Sequence, residues 1–239
     1  MYILAIETTG AYASVAVTDG EKILAQVEGD DRFSHLQNLM PQVKTVLEES
    51  GVELKELSAI GVSVGPGSFT GIRIGVSSAR ALAQILKIPC VPVSSLEALA
   101  MRAEEFSGED RVICPMLDAR RSQVYAGAYL LKGGKPEPVV KAGPYTIDEF
   151  AELIDGKGEA VLLGDGTDAY GEKIEKKGNI DHIVVPEDIR YQHASTVALL
   201  AAKAFEKKGG VGYSQLQPDY MRIPEAERKL RESRKAEGK

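Results

Sequence analysis

Cysteine, histidine and positive charge are all in short supply in this chain, and each shortage removes a class of function. The two cysteines among 239 residues, Cys90 and Cys114, are too few for a disulfide framework and lack the paired spacing of a zinc site, so they read as ordinary half-buried thiols. The three histidines, His35, His182 and His193, form no close pair able to grip a metal from one helix face, and no metal site is expected. With 29 Lys and Arg against 35 Asp and Glu, a net charge of -6, no general basic field is available to hold a phosphate backbone. Autonomous RNA binding is therefore disfavoured, although a local basic patch remains open. No stretch approaches the roughly 20 apolar residues of a spanning helix, and the opening MYILAIETTG lacks a basic leader, so a cytosolic protein with no membrane contact is expected.

What is present is the composition of a folding chain. Hydrophobic residues make up 44% and charged residues 27%, and the length suits one large domain or two small ones. Tyr2 to Glu7, Ala11 to Thr18 and Lys22 to Val27 read as three antiparallel strands, the second closed by the turn pair Asp19-Gly20. Leu36, Leu39, Met40, Val43, Val46 and Leu47 follow helical spacing from a cap at Ser34 to a stop at Gly51, with Pro41 predicting a kink or a restart. Leu57 to Val64 and Pro89 to Val93 read as buried strands on either side of a long helix that ends near Lys87. A shorter helix runs from a cap at Ser94 or Ser95 to about Glu105.

Ser107-Gly108-Glu109-Asp110 is the best boundary. Beyond it, Arg111 to Leu117 ends in Asp118, and Gln123 to Leu131 runs on to Gly133-Gly134. Laid over the opening at an offset of 111 residues, Glu7 falls on Asp118 and Ser14 to Val17 fall on Tyr125 to Ala128. That suggests two lobes with one plan, 1–107 and 108–222. A helix at Thr146 to Ile154, a strand at Ala160 to Leu163 and a helix at Ala194 to Lys208 complete the second range. Residues 223–239 are a mixed-charge tail, frayed or disordered, whose basic residues Arg228, Lys229, Arg231, Arg234 and Lys235 alternate with Glu225, Glu227, Glu232 and Glu237. With Arg222, those basic residues would serve direct RNA contact; a solvated face is the plainer reading.

Residues 59–87 carry the most information. Gly65-Pro66-Gly67 sits between a buried strand and a helix, where backbone amides can meet an anion, but no Lys-Ser or Lys-Thr closes the loop. It is either a phosphate cradle or a structural tight turn. Around the helix, Ile72, Val76, Ala79, Ala83 and Leu86 form one apolar stripe, and Gly71, Gly75, Ser78, Leu82 and Ile85 form a second. Only Arg73, Ser77, Arg80, Gln84 and Lys87 make a polar face. The small residues of the second stripe admit a close neighbour, either the helix of Ser34 to Ser50 or a partner subunit.

At this segment the chain resembles a known family. GVSVGPGSFTGIRIGVSSARALA is similar to the signature of the TsaB (YeaZ) family, diverged relatives of the threonylcarbamoyl transferase TsaD within the sugar kinase, heat-shock ATPase and actin superfamily. ILAIETTGAYASVAV, SHLQNLMP, MLDARRSQVYAGAY, LLGDGTDAY and PDYMR extend the match over residues 1 to about 222. The resemblance implies an α/β fold of two ribonuclease-H-like lobes, each a mixed sheet with helices on its faces. It implies a subunit that has no catalytic residues or cofactor of its own and serves TsaD in forming N6-threonylcarbamoyladenosine next to the anticodon of tRNAs. The partners implied are TsaD in a heterodimer, the ATPase TsaE in a ternary complex, a second copy in a homodimer, and tRNA only through the complex.

A helical interface in the first lobe would draw on Leu39, Val43, Gly71, Ile74, Gly75, Ser78 and Leu82. TsaD-like proteins place a metal with H-x-x-x-H, whereas this chain has His35 followed by Leu39, a ligand exchanged for packing. A vestigial nucleotide site would take Glu7, Thr8, Thr9, Gly65, Gly67, Ser68, Asp118, Gly164 and Gly166. Glu7 and Asp118 would face each other across the cleft, unless Asp118 is tied to Arg120 and Arg121 as an ion pair or turn cap. The competing expectation is a stand-alone nucleotide-dependent enzyme or a zinc peptidase-like protein of the same superfamily.

Overall fold

The opening apolar runs fold as a meander of β1 (Tyr2–Glu7), β2 (Ser14–Asp19) and β3 (Lys22–Glu28), turning at Gly20 with φ of 57°. Helix α1 (His35–Ser50) follows, then β4 (Leu57–Gly65), α2 (Phe69–Leu86), β5 (Cys90–Ser94) and α3 (Ser95–Met101). Strands β6 (Arg111–Asp118), β7 (Gln123–Leu131) and β8 (Pro136–Thr146) form a second meander. After it come α4 (Ile147–Ile154), β9 (Glu159–Leu163), α5 (Asp165–Glu175), β10 (His182–Val184), α6 (Glu187–Arg190) and α7 (Ala194–Lys208). The computed structural model describes residues 1–29, 35–175 and 180–222. The Ser34 cap and the charged tail lie outside the described residues.

The suggested duplication is visible in the sheets. The first has the order β3-β2-β1-β4-β5 and the second β8-β7-β6-β9-β10, with β1 to β3 matching β6 to β8, and β4 and β5 matching β9 and β10. In both, the meander pairs are antiparallel and the remaining pairs parallel. This is the ribonuclease-H-like plan twice over.

Period-2 alternation then decides which helix covers which face. Leu4, Ile6, Val15 and Val17 point toward α1 and α2, whereas Ile3, Ala5 and Ala16 point toward α7. In the second sheet Val112, Cys114 and Met116 face α4 and α5, and Ile113 and Leu117 face α3. The layers run α1 and α2, first sheet, α7 and α3, second sheet, α4 and α5. The two central helices are exchanged across the boundary at Ser107 to Asp110. Helix α3, within 1–107, packs on the second sheet, and α7, within 108–222, packs on the first. Alanines make the latter approach possible, since Ala194, Ala198, Ala201 and Ala202 of α7 are all buried.

Several elements differ from expectation. Helix α1 runs on through Pro41 as one helix and does not restart, with the proline on its exposed face. Leu36 and Met40 leave the core stripe and are exposed, whereas Leu39, Val43 and Val46 remain in it. Helix α3 stops at Met101, short of the expected end near Glu105, a separate 3-10 turn forms at Glu104–Phe106, and another at Leu54–Glu56 leads into β4.

Candidate functional site

Two features of the first lobe matter, an interlobe cleft and an outer helix face. At the cleft, β1 ends in Glu7, and Thr8 and Thr9 turn back over the start of α2. The Thr8 hydroxyl donates to the Gly71 carbonyl at 2.8 Å, and the Ser68 amide donates to the Thr9 carbonyl at 2.8 Å. Ser68 also caps α2 by accepting from the Gly71 amide at 3.3 Å. Of the amides that a phosphate would use, that of Ser68 is thus engaged by Thr9 and that of Gly71 by the Ser68 cap.

The small-residue stripe has the same cause. A methyl group at Gly71 would lie 1.9 Å from the Thr8 carbonyl oxygen, and one at Gly75 would lie 2.4 Å from the Thr8 hydroxyl. Gly71 and Gly75, expected at a partner interface or under the first helix, are buried beneath Thr8 instead. Gly67 runs along the backbone of Thr9 and Gly65 along that of Asp219, so Gly65-Pro66-Gly67 is built as a tight turn. On the second lobe, Gly164 and Gly166 pass against the backbone of Met116, and α5 begins between them.

Glu7 does not face Asp118. It is fully buried, its Oε1 accepting from the Thr9 amide at 2.5 Å and the Thr9 hydroxyl at 2.6 Å, while Oε2 has no hydrogen-bond partner. Burial raises its pKa above the ordinary carboxylate value, against the lowering effect of the Thr9 hydrogen bonds. Asp118 does line the cleft, as a turn cap. Its Oδ1 accepts from the Arg120 amide at 2.7 Å and the Tyr170 hydroxyl at 3.1 Å, and its Oδ2 lies 3.2 Å from the Arg120 guanidinium. Arg120, Arg121 and Ser122 all adopt left-handed backbone, with φ of 62°, 57° and 59°, to close this hairpin. Asp165 accepts from the Asp118 amide at 2.9 Å, and burial raises its pKa. What remains is a cleft of about 320 Å³ bounded by Thr9, Gly67, Ser68, Asp118, Arg120 and Asp165.

These groups do not fit a magnesium nucleotide well. The Ser68 and Gly71 amides are occupied, Glu7 is buried away from the cleft, Asp118 is held by Arg120 and Tyr170, and Asp165 accepts from the Asp118 amide. His35 is equally committed, with Nε2 3.0 Å from the Gly10 carbonyl and its pKa lowered by burial, while Leu39 sits in the core. Among the described residues no three of His, Cys, Asp and Glu gather in a group fit for a metal.

The outer face of α1 and α2 is different. Leu36 is 76% and Ile85 77% exposed, and Met40 and Leu54 are also exposed. Ile74, Ser78 and Leu82 are half-buried beside them, whereas Leu39 and Val43 lie beneath. Between α1 and α2 a groove of about 700 Å³ is walled by Met40, Leu47, Val52, Leu54 and Leu82. Leu36 and Met40 were missing from the expected surface because all the apolar residues of α1 were placed on one stripe, whereas Ile85 was on the second stripe of α2 but left out of the expected interface. The i, i+4 spacing of Leu36 to Met40, beside Leu39 to Val43, was the signal for the first two.

Two ribonuclease-H-like lobes, a cleft between them and an apolar outer helix pair define a two-lobed α/β protein with exposed apolar residues on one helical face. Comparison with known proteins narrows this. Residues 31–202 match the family model "TsaD: tRNA N6-adenosine threonylcarbamoyltransferase". The chain is 37% identical to the tRNA threonylcarbamoyladenosine biosynthesis protein TsaB of Bacillus subtilis, covering 98% of this chain and 100% of that one. It is 30% identical to the Escherichia coli protein of the same name, covering 96% and 98%. A crystal structure from Pseudomonas aeruginosa, described as similar to peptidase YEAZ, superposes with a TM-score of 0.79 at 29% identity over 92% of this chain and 99% of that chain. The chain belongs to the TsaD-related family, in its TsaB (YeaZ) branch.

Proposed function

We propose that this chain is the non-catalytic partner and activator of a TsaD-type transferase in forming N6-threonylcarbamoyladenosine in tRNA. The observation that carries the reading is a contrast between two surfaces. The cleft that performs chemistry in the superfamily is lined by groups already bonded within the chain, the Ser68 amide to the Thr9 carbonyl and Asp118 to Arg120 and Tyr170. The α1 and α2 face keeps large apolar side chains in water, an arrangement that favours a protein partner.

In this reading the cleft is a vestigial nucleotide site, residues 1–107 and 108–222 supply the two lobes with α3 and α7 exchanged between them, and the interface consists of Leu36, Met40, Ile74, Ser78, Leu82 and Ile85. TsaD occupies that face in a heterodimer, a second copy of the chain occupies it when TsaD is absent, and TsaE joins as the ATPase of a ternary complex. Transfer RNA is held by the complex, and the work is cytoplasmic. No helix among the described residues is long and apolar enough to cross a membrane, which agrees with that location.

The enzymatic alternative is separated by calorimetry of the isolated chain with ATP and magnesium, combined with metal analysis. The proposal expects neither turnover nor a stoichiometric ion, and expects modified tRNA only when TsaD is added. Appreciable ATP consumption by the chain alone would overturn it.

A further inference from the structure

PDYMR, the last motif of the sequence, lies in a segment that neither the cleft chemistry nor the docking face accounts for. Residues 209–222 leave α7 at Gly209 and cross the molecule with no helix or named strand. They first join the free edge of the first sheet, where Val211 and Cys90 exchange backbone hydrogen bonds of 2.8 and 2.9 Å. Leu216 is then fully buried in the core beneath α2, and its carbonyl accepts from Arg80 Nε at 3.0 Å. The Asp219 amide donates to the Val64 carbonyl at 2.7 Å, directly before the Gly65-Pro66-Gly67 turn. Tyr220 packs against Phe69 at the start of α2 with ring centroids 4.7 Å apart and planes tilted by 37°, and its hydroxyl accepts from Arg73 Nε at 3.3 Å.

Two residues later the same segment belongs to the other lobe. Met221, like Tyr125, packs against the buried cluster that includes Leu117. Arg222 donates to the Ala119 carbonyl at 3.1 Å and to the Gln123 side-chain oxygen at 2.5 Å, with its guanidinium 5.4 Å from the centre of the Tyr125 ring. Phe69 and Tyr125 are walls of the interlobe cleft, one from each side.

We propose that residues 209–222 form a strap that ties Phe69 of the first lobe to Tyr125 of the second and so holds the cleft at one width. The exchanged helices α3 and α7 join the lobes through the central layers, and the strap closes the connection at the cleft wall. A domain pair that opens and closes around a ligand relies on a few hinge residues and a free mouth. Here both walls are held by the chain's own aromatic and guanidinium contacts, each oriented by further hydrogen bonds. The strap gives the sequence motif a physical role: Asp219 fixes its height on β4, Tyr220 grips one lobe, and Arg222 grips the other.

Interlobe distance measurement tests this on the full chain. Cys90 and Cys114 are buried, so spin labels report from Lys22→Cys and Lys157→Cys, exposed positions on the first and second lobes. In that background the strap predicts a single narrow distance distribution, which Tyr220→Leu combined with Arg222→Gln shifts to a broader one with a longer component. An unchanged distribution in a variant with unchanged circular dichroism overturns the proposal. Should the double variant lose helical signal, Arg222→Gln alone decides by the same criterion, because its half-exposed side chain leaves both cores intact.

Discussion

Replacing Gly71 with alanine separates the two explanations of the small-residue stripe on α2. On helix propensity alone the substitution favours folding by up to about 1 kcal/mol in a helix interior, and by less in the first turn. The structure predicts the opposite sign. The new methyl would lie 1.9 Å from the Thr8 carbonyl oxygen and 3.0 Å from its carbon, and both atoms are backbone. Relief requires the Thr8-Thr9 turn and α2 to part by about 1 Å, given that side-chain carbons do not approach below about 3 Å. That movement breaks the hydrogen bonds from Thr8 to Gly71 and from Ser68 to Thr9, each 2.8 Å long. At roughly 0.5–1.5 kcal/mol for each bond, plus packing lost around buried Ile72, the cost is about 3 kcal/mol. Urea titration reads it directly, since an m-value of about 3 kcal/mol/M for a chain of this size turns the loss into a midpoint lower by about 1 M. Gly171→Ala in α5 is the control. Its nearest new contact is Thr167 Cγ2 at 3.8 Å, so its midpoint should rise slightly. A Gly71→Ala protein as stable as its parent would refute the assignment of the stripe to Thr8.

Glu7→Gln should raise the melting temperature at pH 8 and change it little near pH 4. Burial lifts the folded pKa above 4.5, so the native state is fully favoured while both states are protonated and loses stability as pH rises through the folded value. A gap independent of pH would contradict this. Ser68→Ala removes the α2 cap and should cost about 1 kcal/mol, read by the same urea titration; no change in midpoint would dismiss the cap. Asp118→Ala should loosen the left-handed Arg120 to Ser122 turn, with a loss of about 1–3 kcal/mol, while the chain still activates tRNA modification by TsaD. Abolished modification with an intact fold would assign Asp118 a chemical role.

Much of the fold was legible because strand and helix periods are local properties. The β1 and β6 runs, their hairpin partners and the duplication followed from short apolar stretches ending in Glu7 and Asp118. Strand β8 was not legible, since Pro136, Pro138 and Pro144 interrupt its alternation, and prolines are tolerated there only because it is a sheet edge. Helix α5 was hidden by Gly164-Asp165-Gly166, which reads as a turn and becomes a helix start only beneath Met116. In the site, the need for close approach at Gly71 and Gly75 was readable from their spacing. The approaching group was not, because Thr8 lies 63 residues from Gly71 and reaches it only through the pairing of β1 with β4. Burial of Glu7 escaped for a related reason: nothing in the local sequence distinguishes a carboxylate turned into the core from one aimed at the cleft.

The central claim, that the apolar face of α1 and α2 is where TsaD docks, is tested most directly by affinity co-purification of TsaD with the full chain carrying Leu82→Asp and Ile85→Asp. Both side chains are at least partly in solvent, so circular dichroism and the melting temperature should stay near those of the parent. The account predicts that the variant, folded as before, brings down no TsaD. A folded variant that still recovers TsaD in parental yield would contradict it.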